Sequence, residues 1–422
     1  MSNTIARSGL PNAEQRLVEE RALQIVGSAE VAAAKLETVG LFRADRNAAL
    51  IDQDAAIVNS VEEHFFHASL TAANETPRSP RFVWSIALDH EWMGLSVPAG
   101  RFGQDNPDNA YRLSTIDPQC SYRIKGEFLP EAPHQFSICA LPGQIGDKMI
   151  AEVVGFIGMS TIDVAADGSF EIMADGTPTH GRRNHLSLAG ARTLMVRDTL
   201  ADWAEERPCK LYIERIDGPQ EDDFDPQRAA VRAAELGTNI AAYFLEHIQH
   251  GMFEVDPVNV IPEPVPSGAR GGLVTQCATG GTYRLGTQEA LVLSADPLGA
   301  GYLGVQIVDM WMISHDYRDH LGCLNDRQAD HDEDGRIRWV ISASDPGVNN
   351  WLDGSGSAVG SVLLRWQELP PGVDLKGCVT AEIVKLSDLR SHLPAGTRFL
   401  NGAERQAQRA ERRRQYLLRT EE

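Results

Sequence analysis

Apolar residues recur at helical spacing through the first seventy positions, then give way to short β-prone runs after a polar, proline-bearing stretch. Residues 12–36, rich in Ala, Glu and Leu, predict helix with Gly40 as the break. Leu50, Ile51, Val58, Val61 and Phe65 continue the helical period. The run Asn74-Glu75-Thr76-Pro77-Arg78-Ser79-Pro80 reads as a linker. From Arg81 to about Asp217, runs such as 122–126 and 136–139 predict strands, with Asp167-Gly168 suited to a hairpin turn.

The best-bounded helix begins at Asp225, the expected N-cap, followed by Pro226 at the first helical position. Val231, Leu236, Ile240, Tyr243, Phe244 and Ile248 then recur on one face until Gly251. A proline-rich connector, 257–266, leads into a second strand-rich stretch that runs to about Leu386, and an Arg-rich helix spans roughly 403–418. The pattern divides the chain into a helical segment 1–78, a β-rich domain 79–218, a connecting helix 219–256, a second β-rich domain 257–400 and a basic helix 401–422. The fold class is α+β. No internal repeat stands out in the residues.

Charge narrows the partners. With 59 acidic and 39 basic side chains the formal charge is −20, a field that repels phosphate backbones and anionic lipid. Neither nucleic acid nor a membrane surface is expected as a partner. Docking of Arg409, Arg412, Arg413, Arg414 and Arg419 on the protein's own acidic body is the expectation for the last helix. No run approaches the roughly 18 apolar residues of a membrane span, and the first residues lack the apolar core of a secretory signal. The six cysteines are scattered, with no C-x-x-C pair, and are expected to be reduced thiols in the cytoplasm.

Motifs exclude more than they assign. Gly354-Ser355-Gly356-Ser357-Ala358-Val359-Gly360 has neither dinucleotide nor Walker spacing and leads into a strand rather than a helix, and there is no Gly-x-Ser-x-Gly elbow. Asp330, Asp332, Asp334 and Gly335 match the opening of a calcium loop, but position twelve is Ile341, so a polar turn is the expectation. His64 and His67 have metal spacing on a helix without a third ligand and are expected to be packing or surface histidines. No metal and no cofactor is expected.

The densest cluster is Ser314-His315-Asp316-Tyr317-Arg318-Asp319-His320. Strand alternation before it sets Leu303, Val305, Ile307, Asp309 and Trp311 on one face, which leaves a carboxylate among apolar neighbours. Arg365, sharing a face with Leu363, is its expected partner. Two readings stay open: a buried structural ion pair with the His-Asp cluster in a solvated loop, or acid–base chemistry by Asp309, His315, Asp316 or Tyr317.

Several phrases resemble a bacterial family catalogued as domain of unknown function twelve-fourteen. They are Asp105-Asn106-Pro107-Asp108-Asn109-Ala110-Tyr111-Arg112, Tyr122-Arg123-Ile124-Lys125-Gly126, Arg197-Asp198, Asp202-Trp203, Glu206-Arg207-Pro208 and Ile213-Glu214-Arg215. Gly301-Tyr302-Leu303-Gly304-Val305-Gln306, Arg365-Trp366 and Asp345-Pro346-Gly347-Val348-Asn349-Asn350-Trp351-Leu352-Asp353 continue the resemblance. It implies two β-sandwich or jelly-roll-like domains with accessory helices, in a setting of steroid, terpenoid or aromatic catabolism. It assigns no catalytic residue, and the loop after Trp311 varies in such proteins. From the residues themselves, Asn-Pro-Asp-Asn and Asp-Pro-Gly read as turns, Asn350 as a loop anchor and Trp351 as a core side chain.

The expected function is a cofactor-independent enzyme of lyase, hydratase or isomerase type acting on a small lipophilic, hydroxylated or aromatic compound. Tyr111, Asp309, His315, Asp316 and Arg365 are the candidates for acid–base or charge-stabilising roles. Asn106, Asp108, Arg112, Asn350 and Trp351 are candidates for ligand contact. The alternative is a non-catalytic binding or scaffold protein for a hydrophobic metabolite or partner protein; homo-oligomerisation stays open.

Overall fold

The computed structural model describes residues 8–50, 54–147, 152–268 and 272–421, and all side chains among them except those of residues 247 and 248. Ile51 and the side chain of Ile248 therefore lie outside the described residues. In chain order, helices α1 (Ala13–Val26), α2 (Ala29–Ala44) and α3 (Asp54–Ala73) come first. Strands β1 (Val83–Ile86), β2 (His90–Trp92), β3 (Leu95–Val97), β4 (Asn109–Thr115), β5 (Tyr122–Glu127) and β6 (Gln135–Leu141) follow. Then come β7 (Gly155–Gly158), β8 (Ser169–Asp175), β9 (His185–Ser187), β10 (Thr193–Thr199) and β11 (Lys210–Arg215). Helix α4 (Pro226–Tyr243) runs into a π-helical stretch, Phe244–Met252, and a single turn, α5 (Phe253–Val255). The second half holds β12 (Val265–Pro266), β13 (Gln276–Arg284), β14 (Glu289–Ala295), β15 (Tyr302–Val308) and β16 (Cys323–Asn325). It closes with β17 (Ile337–Ser342), β18 (Trp351–Asp353), β19 (Val359–Gln367), β20 (Val379–Lys385), α6 (Leu389–His392) and α7 (Gly402–Leu417).

The helices start where side chains satisfy their free N–H groups. Asn12 accepts from Gln15 N, Ser28 from Val31 N and Asp225 from Arg228 N, with Pro226 at the first position of α4. The first break falls at Gly27-Ser28, not at Gly40, which lies inside α2. Ser28 offers a cap there, whereas Gly40 merely tolerates the helix. Leu236 and Ile240 on α4 and Phe244 at the start of the π-helical stretch are buried as their spacing implies, but Val231 points to solvent.

Strand order β1-β4-β10-β6-β7 forms one sheet and β11-β5-β8-β9 the sheet facing it. Phe136, Ile138, Leu194 and Val196 meet Ile124, Phe170, Ile172 and Ile213 between them. The second half repeats the plan, with β12-β13-β19-β15-β16 over β20-β14-β17-β18. Leu303, Val305, Leu364 and Trp366 there meet Leu291, Leu293, Trp339 and Ile341. Even the parallel pair recurs, β8 with β9 and β17 with β18. The fold is thus α+β with two β-sandwiches of one topology, and the chain does contain an internal repeat. Equivalent positions keep register but mostly differ in residue type, so the repeat is faint in the residues.

Helices α1 to α4 pack with one another although residues 74–225 separate the first three from the fourth. Their apolar faces cover the outer face of the first sheet, where Leu113, Cys139, Leu141 and Met195 point away from the sandwich core. The same core takes in Val308, Met310, Trp311 and Met312 of the second half, and Phe42 stacks on Trp311 with ring centroids 4.9 Å apart. Among the described residues no helix is long and apolar enough to cross a membrane.

Candidate functional site

Alternation along β10 sends Leu194 and Val196 into the sandwich and Met195 and Arg197 out of it. On β19 the same alternation buries Leu364 and Trp366 and turns Leu363 and Arg365 outward. The two outward faces line one cavity of about 690 Å³, between the sandwiches and under the end of the helical layer. That volume lies within the usual range for small-molecule sites. Apolar walls come from Ile86, Phe102, Leu141, Ile145, Met195, Met252, Leu273 and Leu363. Its polar groups are few: Asp105, Asn109, Tyr111, Arg197, Gln276, Thr279 and Arg365 are buried, Gln104 and Ser267 half-buried, and Asp256 and Glu263 exposed.

Loop 101–108 carries side chains and carbonyls from the first sandwich to the second. Arg365 donates to Gln306 Oε1 at 2.6 Å and to the carbonyl of Gln104. Asp108 accepts from Tyr302 Oη at 2.6 Å and Trp203 Nε1 at 2.8 Å. Asn106 Nδ2 donates to Tyr302 Oη at 3.0 Å, and Asn106 N to Tyr111 Oη at 3.0 Å. Asp105, between these anchors, accepts from Ser314 Oγ at 2.5 Å. Burial pushes the Asp105 carboxyl up, and the Ser314 hydroxyl and Arg101 offset only part of this, so its pKa is about 6. A carboxyl poised there can both hold and release a proton near neutral pH.

The cavity brings together two of the expected catalytic residues, Tyr111 and Arg365. Asp309 is elsewhere. β15 ends at Val308, and Asp309 begins a turn in which its Oδ1 accepts from Trp311 N at 2.9 Å and Ile313 N at 3.0 Å. Met312 completes that turn at φ +65°. The expected Asp309–Arg365 pair is not formed. Arg365 sits opposite Gly304, so Asp309 is five residues further along, about 16 Å at ~3.3 Å per residue. Burial instead raises the Asp309 pKa to about 7.

His315 and Asp316 do not line the cavity either. His315 is half-buried, with its Nε2 out of solvent and unbonded, and desolvation lowers its pKa to about 4. Burial also acts on Asp316, but Arg318 and the N–H groups of Arg318 and Asp319 outweigh it and hold the carboxyl below the usual range. Of the expected ligand contacts, Asn106 and Asp108 tie the sandwiches together as described. Arg112 points into the first sandwich, paired with Asp198 and bonded to the Cys209 carbonyl at 2.9 Å. Asn350 bonds Asp330 N and the carbonyls of Asp330 and Arg338, all within 3.0 Å, and so holds its loop. Trp351 is buried and donates to the Ser342 carbonyl, with Arg405 and Arg409 over its ring.

Three groups that the residues left ambiguous have structural partners. Asp332 and Asp334 both bind Arg338, so the calcium-like run is a charge-paired turn. His64 and His67 are buried in the helical core, where His64 stacks on Phe244 and His67 Nδ1 meets the Ser85 carbonyl. Among the described residues no group of three or more His, Cys, Asp or Glu is placed to hold a metal ion. The basic helix α7 docks on the body: Arg405 pairs with Asp345, Arg409 with Asp353 and Arg413 with Asp319. Arg412 and Arg419 lie over the Trp203 ring. The six cysteines are free thiols.

Reasoning from the residues missed Asp105 and Arg197 as cavity groups. Asp105 opens a phrase that reads as a turn, and nothing local shows which of its acids faces a cavity. Arg197 carried a usable signal: Met195-Val196-Arg197 and Leu363-Leu364-Arg365 place an arginine at the same step of an apolar strand.

No family model matches the chain, and no curated protein matches it. A crystal structure of a putative uncharacterized protein from Burkholderia cenocepacia is similar, with a TM-score of 0.72 at 25% identity over 87% of this chain and 99% of that one. A structure of a protein from Vibrio parahaemolyticus aligns at 12% identity over 78% of this chain and 96% of that one, with a TM-score of 0.42. The chain therefore shares the fold of the Burkholderia protein, over nearly the whole of that protein's length.

Proposed function

We propose that the chain binds a small lipophilic molecule between its two sandwiches and carries out acid–base chemistry on it, of the lyase, hydratase or isomerase kind. The observation that carries this reading is the cavity of about 690 Å³, apolar-walled and closing on a carboxyl whose pKa is about 6. Asp105 takes the role expected of Asp309: its carboxylate removes a proton from one atom of the ligand and its acid form returns one to another, with no net redox change. Arg365 and Arg197 stabilise negative charge that develops on the ligand. The resemblance to a family placed with steroid, terpenoid and aromatic catabolism fits a ligand of this character.

A non-catalytic binding protein is the second reading, favoured by one observation. Tyr111 Oη is already engaged by Asn106 N and Asp105 by Ser314, so both groups have structural work. Two measurements separate the readings. The neutral dye N-phenyl-1-naphthylamine should bind saturably at one site per chain and lose that site in Ala278→Trp, which fills the cavity. Incubation of lipophilic hydroxy acids and enones in heavy water should then give deuterium exchange with wild-type protein and none with Asp105→Asn. Dye binding without exchange of any compound would leave the binding protein standing; failure of the dye to bind would remove both.

A further inference from the structure

We infer that the ligand of the cleft is a lipophilic carboxylate, gripped by Arg197 and Arg365; this rests on the cleft being the binding site. The two sandwiches present the same half-site to it. Arg197 on β10 lies opposite Ser137 of β6, and Arg365 on β19 opposite Gly304 of β15. Each guanidinium reaches two residues along that neighbouring strand, Arg197 Nη1 to Cys139 Sγ at 3.1 Å and Arg365 Nη1 to Gln306 Oε1 at 2.6 Å. One row away, Thr199 Oγ1 donates to Asn109 Oδ1 at 2.7 Å, and Gln367 Nε2 donates to Gln276 Oε1 at 3.0 Å. The repeated topology thus brings two equivalently placed arginines to one cavity.

Neither is ion-paired among the described residues. Arg197 is 8% and Arg365 6% exposed, and no described carboxylate lies within 4 Å of either, the Asp105 carboxyl acting on Arg365 from further off. Other buried arginines are answered: Arg81 by Asp222, Arg101 by Glu63, Arg112 by Asp198 and Arg405 by Asp345. Arg412 and Arg419 lack a carboxylate too, but they are sealed on Trp203 and donate to the carbonyls of Tyr317 and Pro107, away from the cleft. A buried guanidinium without a counter-ion is costly, and a planar oxyanion is the partner its fork fits best. Asp105 is the one acidic side chain on the buried floor among the described residues; Asp256 and Glu263 are on the exposed rim, where water screens them. Two guanidinium groups and one ionised carboxylate leave a single positive charge, which one carboxylate balances. The apolar walls take the body of such a molecule.

Competition against bound N-phenyl-1-naphthylamine tests this with decanoate and decan-1-ol, which share a chain length and differ in the head group. Decanoate should displace the dye at a concentration about tenfold or more below that of decan-1-ol, as a charge-assisted hydrogen bond warrants. Arg197→Gln and Arg365→Gln should each remove most of that preference, with every competition corrected for the variant's own dye affinity. Arg197→Lys, which keeps the charge without the fork, should fall between and serves if the glutamine variant does not fold. Equal displacement by the two compounds in wild-type protein, or a preference that survives both glutamine variants, would overturn the inference while leaving the cleft as a binding site. Absence of dye binding would instead bring down the cleft reading on which it stands.

Discussion

Asp309 is half-buried; its carboxyl accepts from two backbone N–H groups, has no cation within 4 Å among the described residues, and is pushed up by desolvation to a pKa of about 7. An unfolded aspartate titrates near 3.8, so between about pH 4 and pH 7 the folded chain holds a proton that the unfolded chain releases. The stability this gives is complete at the acid end of the window and is lost as pH rises through 7. Asparagine keeps the accepting oxygen and never ionises. Asp309→Asn should therefore be near neutral below about pH 4 and increasingly stabilising above it, by roughly 3–4 kcal/mol at pH 8, read from urea unfolding at both ends. Because Asp309 and Arg365 are not partners, Asp309→Ala and Arg365→Met should add within about 0.5 kcal/mol. A coupling of several kcal/mol would restore the ion pair that strand alternation suggests. One pair that is buried is Arg112 with Asp198, and Asp198→Ala should lose about 3–5 kcal/mol by leaving the guanidinium uncompensated.

Elements repeat the lesson that local chemistry sets where a helix begins and packing sets what it tolerates. The start of α4 was legible because Asp225 and Pro226 act within one turn. Gly237 in its middle was not, since its reason lies across the interface: a Cβ there would come 2.5 Å from the Phe65 ring of α3. Helix propensity alone favours Gly→Ala by about 1 kcal/mol. We expect Gly237→Ala to destabilise by about 1–3 kcal/mol instead, because the buried ring must move; a raised melting temperature would contradict the close packing of α3 on α4. On α7 the arginines differ in burial although they look alike in sequence. Arg412, bonded to the Tyr317 carbonyl and lying 4.3 Å from the Trp203 ring centroid, should lose about 2 kcal/mol or more on change to Ala. Arg413 on the exposed face should lose less than about 0.5 kcal/mol, as surface pairs do.

At the scale of the whole molecule, the strand-rich stretches and the α+β class follow from periodicity, but their relation to each other does not. Strand alternation turns Arg365 outward from its own sandwich. Only the packing of one outer face over another reveals that Arg197 meets it in the same cleft. Asp309 misled for the converse reason: alternation was extended past Val308, where the backbone had already turned. The central claim is that the cleft between the sandwiches is where a lipophilic molecule binds. Crystals soaked in 1-bromonaphthalene test it directly through the anomalous signal of bromine. The account predicts a bromine peak among Leu141, Met195 and Leu273, absent from crystals of Ala278→Trp. Bromine found only on the outer surface, with the cleft empty in wild-type crystals, would contradict it.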